Sequence, residues 1–154
     1  MARIILGLGS NLGRREGNLK RAVRELTAAG IRVLKVSRPT ASAPAEGVGG
    51  GEFLNAALLA ETNLEPEALL DLLQRTEARL GRPASHRPGE ARTIDLDIIY
   101  YRDRRLETER LKLPHPRRLQ RRFVLEPAAE VAPDFVDPEL NLTLEEIARH
   151  ENRQ

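Results

Sequence analysis

At 154 residues the chain has the length of one globular domain, and 31% charged against 40% hydrophobic residues is a folded protein's balance rather than a disordered one's. A formal net charge of +2 is too small to argue for a nucleic-acid partner, and the lack of cysteine excludes disulfides and thiolate metal sites. No apolar run approaches the roughly 20 residues of a membrane-spanning helix and the first residues lack a signal peptide's apolar core, so a cytoplasmic protein with no membrane partner is expected.

Residues 3–8 read as a short apolar strand ending in Gly9-Ser10-Asn11-Leu12-Gly13. Leu19, Ala22, Val23 and Leu26 then mark a helix closed by Gly30, and 31–37 reads as a second strand. Residues 39–51 contain Pro44 and the triplet Gly49-Gly50-Gly51, which predicts a mobile loop. A third strand is expected over 53–61. Pro66 suits the first turn of a helix whose apolar stripe, Leu69, Leu70, Leu73 and Leu80, leads to Gly81 and carries Glu77. After a polar loop at 82–91 come a fourth strand through Asp95 and Asp97, a further strand over 107–113 and a short helix over 123–131 before Pro133. Thr143 with Glu146 makes a capping box for a last helix to His150. Strand, helix, strand, strand, helix, strand is the ferredoxin-like order. The fold class is therefore α+β, a ferredoxin-like core with a mostly antiparallel sheet flanked by helices.

The segment Arg92-Thr93-Ile94-Asp95-Leu96-Asp97-Ile98-Ile99-Tyr100-Tyr101 is the most informative stretch. In a strand, residues two apart share a face, so Asp95 and Asp97 project together while Ile94, Leu96 and Ile98 pack on the other side. Like charges kept from water need a reason, and the usual one is a hard cation. Mg2+ is held through one or two carboxylates plus substrate phosphates, and two such ions can clamp an in-line displacement at phosphorus. The alternative is an exposed face on which both carboxylates meet water. Gly7, Gly9 and Gly13 do not form a dinucleotide fingerprint, because Leu12 stands where its third glycine belongs. No Walker sequence occurs either.

Four ordered motifs carry a resemblance. The strand end Gly7 to Gly13, the strand start Phe53-Leu54-Asn55-Ala56-Ala57, the run from Arg92 to Ile98, and Leu113-Pro114-His115-Pro116-Arg117 followed by Arg121-Arg122-Phe123-Val124-Leu125 together resemble the 6-hydroxymethyl-7,8-dihydropterin pyrophosphokinase family of folate biosynthesis. The likeness covers about residues 4–133. It implies one pyrophosphokinase domain over 1–154, acting as a monomer, that transfers the intact pyrophosphoryl group of ATP to the pterin's hydroxymethyl group. AMP is released, and Mg2+, as two ions, is the cofactor.

By that resemblance Asp95 and Asp97 are the metal ligands and, with Arg82 and Arg92, the catalytic set. Phe53 and Phe123 sandwich the pterin ring, with Asn55, Ser42, Ala43, Ala45 and Asp95 completing its site. ATP is met by Gln74, Glu77, Arg92, Ile98, Arg110, His115 and Arg121. Glu77, on an apolar stripe, reads better as a structural carboxylate bonded to a basic partner than as a catalyst. Arginine suits a triphosphate because its fork binds phosphate oxygens in pairs, and only Lys20, Lys35 and Lys112 are lysines. Genomic base composition produces the same bias. The chain departs from the family pattern where Pro88-Gly89-Glu90-Ala91 replaces a Trp-Gly-Pro sequence, and where Thr40 and Ser42 stand for tyrosine and threonine.

Two other functional classes fit parts of the pattern. A ferredoxin-like nucleic-acid module would use the basic residues, yet it stacks bases on aromatic side chains, which are only 3% of this chain. A metal-dependent nucleotidyl transferase or cyclase would use the same pair of aspartates and release pyrophosphate instead of AMP.

Overall fold

The computed structural model describes residues 1–43, 51–81 and 93–152. The strands are β1 (Ala2–Ser10), β2 (Arg32–Val36), β3 (Thr40–Ser42), β4 (Phe53–Thr62), β5 (Asp95–Tyr101), β6 (Leu106–Glu107) and β7 (Lys112–Leu113). The helices are α1 (Arg15–Ala28), α2 (Pro66–Arg79), α3 (Arg122–Val131) and α4 (Leu144–Asn152), with a 3-10 turn at Arg118–Gln120. The main sheet runs β2-β4-β1-β5, and β3 adds to β4. All its pairings are antiparallel, so the α+β, ferredoxin-like expectation holds.

Period-two alternation in the strands splits the apolar residues between two cores. Ile4, Leu6 and Leu8 of β1 join Leu96 and Ile98 of β5 under α1 (Leu19, Ala22, Leu26) and α2 (Leu69, Leu73). On the opposite face Ile5, Ala57, Ile99 and Tyr100 meet Leu125, Ala128 and Val131 of α3 and Leu144 and Ile147 of α4. Both sheet faces are therefore covered, and each fully buried Leu or Ile contributes roughly 1.5–3 kcal/mol.

Local signals set the helix ends. Gly30, at φ +96°, lets the chain reverse after α1 so that the Ile31 N–H reaches the Leu26 carbonyl at 3.0 Å. The α4 capping box forms as spaced: Thr143 Oγ1 accepts from the Glu146 N–H at 3.1 Å, and Glu146 Oε1 accepts from the Thr143 N–H at 3.0 Å. Pro127 lies inside α3 and removes the amide that the Phe123 carbonyl would otherwise bond.

Three features differ from expectation. The strand read over 107–113 is a small hairpin, β6 pairing with β7 through Leu106↔Leu113 and Glu107↔Lys112. Thr108 makes the turn, its hydroxyl accepting from the Leu111 N–H at 3.0 Å, a local bond that competes with an extended ladder. Part of the segment read as a loop is β3, whose residues Thr40 and Ser42 pair with Asn55 and Phe53. Finally, β5 carries one residue more than β1 between the pairs Leu6↔Ile98 and Ile5↔Tyr100. This bulge puts both Ile99 and Tyr100 on the α3/α4 face, where strict alternation would send them apart. The loops expected over 39–51 and 82–91 fall largely on 44–50 and 82–92, outside the described residues.

Candidate active site

Two glycines make the floor. Gly7 of β1 pairs with Ala57 of β4 and Asp97 of β5, and Gly9 pairs with Asn55 and Asp95 in the same way. Directly opposed residues share a face, so the rows Ala57-Gly7-Asp97 and Asn55-Gly9-Asp95 lie side by side beneath the start of α3. With strands about 4.8 Å apart, Asn55 and Asp95 stand roughly 10 Å apart across a bare glycine. A cavity of about 350 Å³ opens there, lined further by Ser42, Ala43, Phe53, Arg117, Arg121 and Phe123. That is the size of a small-molecule site. A Cβ on Gly9 would lie 3.3 Å from Asn55 Oδ1 and 3.4 Å from Phe53 Cδ1. Gly9 thus keeps room for a ligand between Asn55 and Phe53.

Phe53 and Phe123 both line the cavity and belong to neither core, whereas Phe135, the third phenylalanine, packs against the α3/α4 core. Two half-buried rings facing one space are not explained by packing alone. Asn55 is buried, and its Nδ2 donates to the Thr40 carbonyl at 3.3 Å and to Ser42 Oγ at 2.7 Å. The Thr40 carbonyl can only accept, which assigns the amide orientation and leaves Oδ1 toward Gly9 as an acceptor. The short strand β3, unforeseen in the sequence, is what places Ser42 here.

Asp95 and Asp97 line the same cavity from β5 and face away from the α1/α2 core that takes Ile94, Leu96 and Ile98. Glu77 stands behind them. Its buried carboxylate accepts from the Leu96 N–H at 2.8 Å, pinning the peptide unit between the two aspartates to α2. Among the described residues no group of three or more His, Cys, Asp and Glu side chains comes together to hold a metal. Two carboxylates on one strand face leave most of a coordination shell to phosphate oxygens and water, which suits Mg2+ better than a metal that needs a full protein cage.

The basic wall follows β7. The His115 N–H donates to the Ile99 carbonyl at 2.9 Å, fastening the turn to the bulge of β5. His115 Nδ1 accepts from the Arg117 N–H at 3.1 Å, so the neutral ring carries its proton on Nε2. Burial first, then Arg121 and Arg117, pull its pKa down to about 4, against an opposing influence from Asp95. At neutral pH it is an uncharged donor. Arg121 reaches the cavity with its guanidinium 5.7 Å from the Phe123 ring centre, within cation-π range.

Other expected nucleotide contacts lie elsewhere. Gln74 is exposed on α2. Arg110, in the β6-β7 turn, is held by Glu67 at 2.8 Å and Asp71 at 2.6 Å, both on α2. The Ile98 side chain is 3% exposed within the α1/α2 core. Arg82, Arg92, Ala45 and the Pro88 to Ala91 segment lie outside the described residues.

A family profile described as 7,8-dihydro-6-hydroxymethylpterin-pyrophosphokinase (HPPK) matches residues 5–133. The chain belongs to the HPPK family. It is 40% identical over 144 residues to the 2-amino-4-hydroxy-6-hydroxymethyldihydropteridine pyrophosphokinase of Synechocystis sp., a match covering 91% of this chain and 71% of that one. With the enzyme of the same name from Bacillus subtilis it shares 43% over 127 residues, 82% and 75% of the two chains. Among solved structures, Plasmodium falciparum HPPK-DHPS superposes with a TM-score of 0.75 at 13% identity, over 97% of this chain and 45% of that longer one. At that identity the likeness shows the fold alone.

One cluster behind the His115 turn had no signal in the sequence. Arg118, Tyr100 and Asp137 are buried together. Arg118 Nε donates to Asp137 Oδ2 at 2.7 Å and Nη2 to Oδ1 at 3.2 Å, while the Tyr100 hydroxyl donates to Oδ2. Burial works against the Asp137 charge, but bonds from Arg118, Tyr100 and two backbone amides outweigh it and hold the carboxyl below the usual range. In the sequence Arg118 is one arginine among many, and Asp137 lies 19 residues away.

Proposed function

We propose that the cavity between β1, β4, β5 and α3 binds the reduced pterin and that ATP lies along β5 with its triphosphate at Asp95 and Asp97. What supports this most is the convergence of both aspartates and both non-core phenylalanines on one cavity floored by glycine. Phe53 and Phe123 hold the ring between them. Asn55 Oδ1 accepts an N–H from the ring's polar edge, and Ser42 and Ala43, with Ala45, flank it. By the family pattern Gln74, Glu77, Arg92, Ile98, Arg110, His115 and Arg121 serve the nucleotide; of these His115 contributes a neutral Nε2–H and Arg121 a positive charge, while Gln74, Ile98 and Arg110 stand outside the cavity's lining.

The reaction of this chain as a member of its family is transfer of pyrophosphate from ATP to 6-hydroxymethyl-7,8-dihydropterin, giving the pterin diphosphate and AMP in folate biosynthesis. The hydroxymethyl oxygen bonds to the β-phosphorus as the bond from that phosphorus to the bridging oxygen breaks. AMP leaves with the electron pair, and the hydroxyl proton is released. Such chemistry asks a protein mainly to position reactants and to stabilise spreading negative charge. Asp95 and Asp97 would hold Mg2+, two ions by this reading, whose charge neutralises the phosphates when bound. By the family pattern Arg82 and Arg92 would add positive charge toward the phosphates.

The chain acts as a single cytoplasmic domain and a monomer in this reading. Among the described residues no helix is long and apolar enough to cross a membrane. A base-stacking ferredoxin-like module needs an open sheet face, and helices cover both faces here. Incubation with ATP, Mg2+ and the reduced pterin, followed by chromatography of the products, tests the proposal. Equal amounts of AMP and pterin diphosphate are expected; pyrophosphate release would favour a nucleotidyl transferase.

A further inference from the structure

The Arg118 cluster joins three segments of the chain. Tyr100 belongs to β5 directly after its bulge, Arg118 follows the His115 turn, and Asp137 with Glu139 lies past residue 133, where the family match ends. Asp137 is itself fixed, its Oδ1 accepting from the Glu139 and Leu140 amides at 2.8 and 3.0 Å. From that anchor Arg118 reaches in two further directions. Its Nη2 meets Glu139 Oε1 at 2.7 Å, and its Nη1 donates to the His115 carbonyl at 3.1 Å.

Both backbone polar groups of His115 are thereby held, the N–H by the Ile99 carbonyl of β5 and the carbonyl by Arg118. A buried ion pair is weak evidence for stability, since desolvation offsets its attraction. What a buried guanidinium fork supplies is geometry, because its donors diverge in one plane. Lysine could not bond Asp137 twice and still reach His115. Arg118 is 4% exposed, so it does not itself meet solvent or the triphosphate.

We propose that Arg118 is a positioning residue for ATP: anchored on Asp137 and Tyr100, it sets the His115 to Arg121 turn at the height where His115 Nε2 and Arg121 meet the triphosphate. This rests on the nucleotide roles of His115 and Arg121 given above. It acts on ATP and not on the pterin: Phe53 and Asn55 come from β4 on the far side of the floor, and Phe123 is carried by α3, which Leu125, Ala128 and Val131 hold in the α3/α4 core.

Removing Arg118 alone would leave the Asp137 charge buried without its cation, so the test uses the double variant Arg118→Met/Asp137→Leu, an apolar replacement of the pair. Circular dichroism is the check on its fold. The KM for ATP and the Kd of a nonhydrolysable ATP analogue with Mg2+ should then rise about tenfold, as displacements of around 1 Å remote from the chemistry can do. The KM for pterin should stay within about twofold, because uniform loss of one substrate's contacts leaves the other's unchanged. Arg118→Lys, which keeps the charge and loses the fork, should fall between wild type and the double variant. It decides by the same readout if the double variant does not fold. Wild-type ATP binding in a folded variant, alongside weakened binding in His115→Ala and Arg121→Ala, would overturn the positioning role alone. Unchanged ATP binding in those two alanine variants would instead overturn the nucleotide site on which it rests.

Discussion

One face of the sheet is built in two different ways. Toward α4, Ile5, Ile99 and Tyr100 are packed against Leu125 and Ile147 with almost no exposure. A few residues along the same strands, Gly7, Gly9 and Ala57 stand where large side chains could have continued that packing, and Asn55, Asp95 and Asp97 stand where apolar ones could. The covering helix also changes, its buried Leu125 giving way to the half-buried Phe123. The packed half holds strands and helices in place; the open half gives up apolar burial for a cavity with oriented polar groups. The proposed site occupies the half where packing was withheld.

The sharpest way to break this contrast is to alter the charged edge of the open half. Asp95→Asn or Asp97→Asn is expected to lower kcat by on the order of 100-fold or more while the thermal midpoint is unchanged or higher, since charge stabilisation is lost and like-charge repulsion is relieved. Steady-state assays and a melting curve check this. Near-normal Mg2+-dependent turnover in either variant would contradict the metal assignment.

Filling the floor comes next in size. Gly9→Ala puts a methyl against Asn55 and Phe53, and overpacking of about 1–3 kcal/mol should appear as a rise of roughly tenfold in the KM for pterin. Part of that cost should also appear as lower stability, since Asn55 and Phe53 must give in the free protein too, while the KM for ATP should not move. Equal changes in both KM values would mean that the glycine serves the backbone rather than the ring.

The packed half should answer in the opposite currency. Ile5→Val deletes one methylene at a fully buried site, so urea denaturation should show a loss of about 0.5–1.5 kcal/mol with both KM values and kcat as in wild type. An altered KM would show that the two halves are mechanically coupled.

The smallest effect is a proton. His115 has a folded-state pKa near 4, below the 6.5 of an unfolded chain. The unfolded state therefore binds the extra proton between those values, so stability falls as pH drops from about 6.5 toward 4 and is flat in this respect above 6.5. NMR titration of the imidazole should give a midpoint far below 6.5, and Arg121→Ala should raise it. An ordinary midpoint would show that the turn is open to water and not held by Arg118.

Much of this arrangement was legible because it rests on short-range patterns. The spacing of Asp95 and Asp97 places them on one face whatever the rest of the chain does, and Thr143 with Glu146 needs only a helix start to close its box. Family motifs marked Phe53 and Phe123, and both rings line the cavity and lie outside the cores. The turn at Thr108 was missed because a hydroxyl bond to a backbone three residues away competes with strand propensity, and no alternation pattern records it. Glu77 was read as awaiting a basic partner; among its bonds is one to the Leu96 backbone amide, and any residue in β5 could have supplied that.

The sequence by itself determined the order of the main elements, the ferredoxin-like class and the shared face of the aspartates, because each follows from periodicity, caps or contiguous motifs. Tertiary structure alone decided that Gly7 and Gly9 are a floor, that a bulge turns Tyr100 toward the α3/α4 core, and that Arg118 closes on Asp137. Those facts depend on which strands become neighbours and in what register, and neighbours distant in the chain leave no local trace in it.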